Sequence, residues 1–130
     1  MNFKKVKETC LYISDLERAK SFYHGVLALP IINYAEGKHL FLRVGDSVLL
    51  IFNPEDSKNK KSPPAHFGGG RQHFAFEVPL SEYEQTKQEI KSKGITITDE
   101  VIWTSGKESF YFEDPEGNVL EIIPDEGIWD

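Results

Sequence analysis

Cysteine is almost missing from this chain. Cys10 is the only one, so no intrachain disulfide can form, and a reducing, cytoplasmic setting is expected. Long hydrophobic runs are missing as well. Residues 48–52 are among the longest, and they are strand-sized, so no segment is expected to span a bilayer. The opening Met1-Asn2-Phe3-Lys4-Lys5 has no apolar run of the kind a signal peptide needs. Positive charge is in deficit too, with 15 Lys and Arg against 21 Asp and Glu and a net charge of −6. The lysines at 58–61 and 87–93 are mixed with acids or lie in loop-like sequence, and they read as solvated surface. Nucleic-acid binding rests on phosphate neutralisation and is therefore not expected.

What is present is one pattern written twice. Cys10-Leu11-Tyr12-Ile13-Ser14-Asp15-Leu16 leads into a helix-like run through Phe22 and Tyr23, then Ile31-Ile32. Phe74-Ala75-Phe76-Glu77-Val78-Pro79-Leu80 leads into a second helix-like run through Ile90, then Gly94-Ile95-Thr96-Ile97. Each copy continues with a paired-strand pattern, over 38–52 and over 109–123. An internal repeat decides architecture before any local reading does. Two copies also make a cleft, which is where a ligand is sought.

In the first copy, alternation predicts a strand over 5–13, with Leu11 and Ile13 on one face and Glu8, Cys10 and Tyr12 on the other. Ser14 or Asp15 can cap an amphipathic helix over 16–26. A strand begins at Ile31, and strands 39–44 and 47–53 form a hairpin around Gly45-Asp46. The second copy reads as strand 72–78, helix 80–93, and strands 95–103, 109–113 and 118–124. Ser81 and Glu84 form a capping-box pattern, Gly94 sits where a helix C-cap glycine belongs, and Asp114-Pro115-Glu116-Gly117 suits a tight turn. Between the copies, residues 55–71 carry prolines, lysines and three consecutive glycines and read as a linker. The expected organisation is one domain over 1–130, with module one at about 4–54 and module two at about 72–125.

Three polar residues interrupt strands that should be apolar: Glu8, His73 and Glu121. Glu8 and His73 occupy equivalent places in the two copies, each five residues before the last apolar residue of its strand. Glu121 stands inside Val119-Leu120-Glu121-Ile122-Ile123, and a lone carboxylate there must be solvated, paired or bound to a cation. Imidazole with two carboxylates suits a first-row divalent ion such as Zn, Ni, Mn, Fe or Co. Tyr12 and Glu77 are expected in the same cleft, where Glu77 either acts as a base or is merely solvated, the solvated role being favoured. His24, His39 and His66 read as surface residues.

Tyr12-Ile13-Ser14-Asp15-Leu16-Glu17-Arg18-Ala19 with Phe22-Tyr23, Gln72-His73-Phe74-Ala75-Phe76 and Phe112-Glu113-Asp114-Pro115-Glu116-Gly117-Asn118-Val119-Leu120-Glu121 together resemble the vicinal oxygen chelate superfamily. This is the glyoxalase, bleomycin resistance protein and dioxygenase group. The resemblance implies an α+β fold of two βαβββ modules, forming a curved mixed β-sheet half-barrel with helices outside. It implies metal ligands at Glu8, His73 and Glu121; Glu121 and Glu77 are the candidate catalytic carboxylates, and Tyr12, Cys10 and Leu50 the candidate substrate contacts. Leu50 stands where lyases of the glyoxalase I type place a fourth ligand, and Cys10 where relatives that modify fosfomycin carry a threonine.

The function expected from that resemblance is a divalent-metal-dependent enzyme acting on a small oxygen-chelating metabolite, of lyase, isomerase or dioxygenase type. The alternative is a metal-free protein that sequesters a drug or metabolite, as bleomycin-resistance relatives do. A homodimer is expected on the same ground.

Overall fold

The two copies fold into two mixed sheets of the same design. The structure is a computed structural model describing residues 1–130, and it divides into two compact units, Met1–Gly70 and Arg71–Asp130. In unit one, β1 (Glu8–Tyr12), β2 (Ile31–Ala35), β3 (His39–Val44) and β4 (Ser47–Phe52) form a sheet in the order β1-β4-β3-β2. In unit two, β5 (His73–Val78), β6 (Asp99–Ile102), β7 (Glu108–Glu113) and β8 (Val119–Pro124) form one in the order β5-β8-β7-β6. Each sheet pairs its first strand parallel to its last and closes with antiparallel hairpins. This is the expected βαβββ module, made twice.

Strand alternation sets which side chains meet the core. In β3, Leu40 and Leu42 are buried while His39 and Phe41 are half-buried on the opposite face. Leu11, Leu49 and Ile51 join Leu40 and Leu42 beneath helix α1 (Leu16–Lys20), which contributes Leu16 and Ala19. Asp15 caps α1 by accepting a hydrogen bond from the Arg18 amide at 3.0 Å, as the sequence predicts. The helix expected over 16–26 widens after Lys20 into a looser turn over Ser21–Val26, where the Leu27 amide bonds the Phe22 carbonyl five residues back. Phe22 and Tyr23 still reach the core through that turn.

Unit two repeats the scheme with different details. Tyr83, Lys87 and Ile90 of α3 (Tyr83–Ser92) are buried, as are Phe110, Phe112, Leu120 and Ile122 of the sheet. The Ser81–Glu84 capping box does not form. A single tight turn over Leu80–Glu82 precedes α3, with no side-chain cap at the start of either element. The Leu80 amide instead bonds the Asp125 side chain at 2.6 Å, a partner distant in sequence. Gly94 ends the helix at φ +80°, the conformation for which glycine was expected there. β6 is shorter than the expected 95–103, because residues 95–98 run as irregular chain up to Asp99. The Asp114 turn forms as expected. The Asp114 carboxylate accepts from the amides of Glu116 and Asn118 at 2.9 Å each, and Gly117 takes φ +89°.

The segment read as a linker is built into unit one. A short helix α2 (Pro54–Ser57), capped by Asn53, turns the chain back. The residues that follow lie against the open face of the first sheet, where the Tyr12 hydroxyl and His66 Nδ1 share a hydrogen bond of 2.8 Å. A Cβ on Gly68 would stand 2.9 Å from the Tyr12 ring, so this close approach requires glycine.

Candidate functional site

Register shows how the two modules correspond. Glu8 opposes Val48 in unit one and His73 opposes Val119 in unit two. Two residues on, Cys10 opposes Leu50 and Ala75 opposes Glu121. Leu50 therefore occupies in module one the place of Glu121 in module two. Leu50 is half-buried, on the face opposite the core residues Leu49 and Ile51.

In unit two the strands bring His73 and Glu121 together, with His73 Nε2 3.4 Å from Glu121 Oε2. His73 is half-exposed, whereas Glu121 is only 5% exposed. The imidazole Nδ1 lies 2.9 Å from the Val119 carbonyl oxygen. A carbonyl only accepts, so Nδ1 donates this hydrogen bond, and in the neutral imidazole the lone pair is on Nε2, as in a metal ligand held by a backbone partner. Glu121 Oε1 is buried without a hydrogen-bond partner, an expensive arrangement for a carboxylate unless a cation completes it.

Tyr111 opposes Glu121 across β7 and β8, and its ring lies 6.1 Å from that of His73. Burial chiefly raises its phenol pKa; a Ser109 hydrogen bond opposes this and one with Glu121 adds to it. Sequence reasoning missed Tyr111, although strand alternation from Glu121 through the Asp114 turn would place it opposite. Glu77 is exposed on the His73 face. It stands four residues along β5 from His73, about 13 Å at the usual rise of a strand.

In unit one, Glu8 is exposed at the start of β1, with Cys10 and Tyr12 half-buried on the same face. All three line a cavity of about 970 Å³, together with Leu50, Phe41 and Phe52. The Cys10 thiol lies 3.5 Å from the Tyr12 hydroxyl, and the Tyr12 phenol is pushed up to about 12, first by burial and then by Cys10. No group of three or more His, Cys, Asp or Glu side chains in the chain is gathered so as to hold a metal ion.

Two histidines expected on the surface are walls of this cavity. His39 stacks on Phe41 with ring centroids 4.0 Å apart, and His66 meets Phe52 edge-on at 4.5 Å. β3 lies inside the sheet rather than at its edge, and the 55–68 segment carries His66 back over it. Lys60, read as solvated, lines the same cavity.

The profile of the Glyoxalase/Bleomycin resistance protein/Dioxygenase superfamily matches residues 5–122. Glutathione transferase FosA of Serratia marcescens is 30% identical over 115 residues, covering 86% of this chain and 74% of that protein. Glyoxalase 1 of Caenorhabditis elegans is 28% identical over 131 residues, covering 95% of this chain. The chain spans only 44% of that nematode protein. The crystal structure of a lactoylglutathione lyase from Agrobacterium tumefaciens superposes with a TM-score of 0.90 at 29% identity, covering 96% of each chain.

Proposed function

Because the chain belongs to the glyoxalase, bleomycin resistance protein and dioxygenase superfamily, we propose that it is a divalent-metal-dependent enzyme acting on a small oxygen-chelating metabolite. The observation that carries this reading is the His73–Glu121 pair. A nitrogen and a carboxylate oxygen that share one divalent ion would have to lie within a few ångströms of each other. Nε2 and Oε2 are 3.4 Å apart. The free lone pair on Nε2 and the orphaned Oε1 fit the same group.

His73 and Glu121 would hold the ion, and we assign the third ligand to Glu8, the module-one equivalent of His73. The catalytic part of Glu121 is to hold that ion. Glu77 stands too far along β5 to join it, so we give it no role at the metal. A bound divalent ion supplies a Lewis acid that polarises a substrate oxygen. The Val119 carbonyl fixes the His73 tautomer, and Tyr111 steadies the Glu121 carboxylate. Tyr12, Cys10 and Leu50 would contact substrate from the module-one cavity that they line.

The same reading has the protein act as a cytoplasmic homodimer. Ile31 and Ile32 on edge strand β2 and Ile102 on edge strand β6 are exposed apolar side chains, which supports burial against a second copy. No helix of the structure is long and apolar enough to cross a membrane.

Elemental analysis of protein purified without a chelating column tests the proposal. Wild type should carry a divalent metal, His73→Ala should lose it, and Glu8→Gln should weaken it. Equal metal in wild type and His73→Ala would overturn the assignment. Absence of metal together with tight binding of a cationic drug would identify the sequestering alternative.

A further inference from the structure

The wall of the module-one cavity changes character along the strands. Its sheet face consists of three cross-strand rows: Glu8–Val48–Arg43, Cys10–Leu50–Phe41 and Tyr12–Phe52–His39. The first row has a charge at each end, the second is largely apolar, and the third is aromatic. His66 closes the aromatic end through its contacts with Tyr12 and Phe52.

At the other end Arg43 has no acidic partner. Its side chain makes one long hydrogen bond, 3.5 Å to the Ser47 carbonyl. Glu8 shares the row but lies two strands away, about 9.6 Å at the usual strand spacing. A guanidinium is a planar fork shaped for an oxyanion, and it gains little from a single carbonyl at the limit of hydrogen-bond distance.

We propose that this cavity binds an oxyanion with an apolar, preferably aromatic, body, the anion on Arg43 and the body over Phe41, Leu50 and Phe52. The inference rests on the proposed function only for calling this ligand a substrate; the binding itself needs no metal. The volume of about 970 Å³ is ample for such a molecule. An aromatic body finds ring faces and edges already in place, with Phe41 and Phe52 tilted at 68° to each other. A cationic ligand fits less well at this end, because the unpaired Arg43 faces only the carboxylate of Glu8 in its row, while Lys60 in the lining is already paired with Asp56 at 3.5 Å. Burial and then the Lys60 ammonium hold the His39 pKa below its usual value, with the Asp56 carboxylate opposing them.

The test uses the full chain in excess chelator and four probes: 3-phenylpropanoate, propanoate, 3-phenylpropanamide and 2-phenylethylphosphonate. Affinities come from calorimetry, with saturation-transfer NMR for weak ligands. Wild type should bind 3-phenylpropanoate or the phosphonate more tightly than propanoate or the amide. Arg43→Gln should lose about tenfold toward the phenyl oxyanions, the scale of one charged hydrogen bond, and keep its affinity for the amide.

Arg43 is exposed, so its replacement should leave the fold intact, which thermal melting verifies. Phe41→Leu should weaken every phenyl compound. Either oxyanion acting through Arg43 supports the proposal, and their ranking separates carboxylate from phosphonate. Equal binding of acid and amide, or of propanoate and 3-phenylpropanoate, would overturn it. The metal is absent throughout, so these outcomes are independent of the His73 test.

Discussion

Glu121→Leu should stabilise the metal-free protein and destabilise it relative to wild type once metal is present. The substitution places at Glu121 the residue that module one already carries at the equivalent position, Leu50. The magnitude follows from the surroundings of the carboxylate. Glu121 is 5% exposed and its Oε1 has no partner, and a buried unsatisfied polar group costs about 1–3 kcal/mol. Against that gain stands the hydrogen bond with Tyr111, worth about 1 kcal/mol. Tyr111 is half-buried and can turn to water. The net expectation is a gain of roughly 0–2 kcal/mol, or up to about 10 °C in melting temperature for a chain of this size. Wild type at a thousandfold excess of metal over its dissociation constant gains about 4 kcal/mol by mass action, and the variant gains nearly none. The order of stability should therefore reverse between chelator and metal. Thermal melts of both proteins under both conditions provide the assay. A variant that melts lower than wild type in chelator would show that the carboxylate is a satisfied structural group. A wild type whose melting temperature ignores metal would show that it is not a ligand.

The other perturbations concern module one. Leu50 faces the cavity whereas Leu49 faces the core, so Leu50→Glu should remain folded while Leu49→Glu should lose roughly 3 kcal/mol or more; equal losses in chemical denaturation would refute that division. Without a carboxylate at Leu50, wild type should turn over methylglyoxal and glutathione poorly, and brisk lyase activity would overturn the reading. Tyr12→Phe removes the hydrogen bond to His66 that ties the 55–68 segment to the sheet, and tryptic cleavage after Lys60 or Lys61 should become severalfold faster; an unchanged rate would show that the bond does not hold the segment.

Much of this design was legible in order along the chain. Strand alternation is a local property with period two, so the faces of β1, β5 and β8, and with them the positions of Glu8, His73 and Glu121, could be read from neighbours alone. Glu121 drew notice because every residue around it is apolar. Turn and cap chemistry at Asp15, Gly94 and Asp114 was legible for the same reason, since each acts within a few residues of itself.

Tertiary structure decided what depends on distant partners. The Ser81 cap gave way to Asp125, which comes near Leu80 only when the strands are laid down. Tyr111 reaches Glu121 through sheet register. The 55–68 segment has no periodicity to show where it lies, and it covers the first sheet because His66 and Gly68 meet Tyr12 there. His39 and Lys60 became cavity walls by the same closure. A repeating pattern carries its own fold, because each residue's place follows from the spacing of its neighbours. A loop's position is settled by the surface it finds, and that surface exists only after the chain has folded.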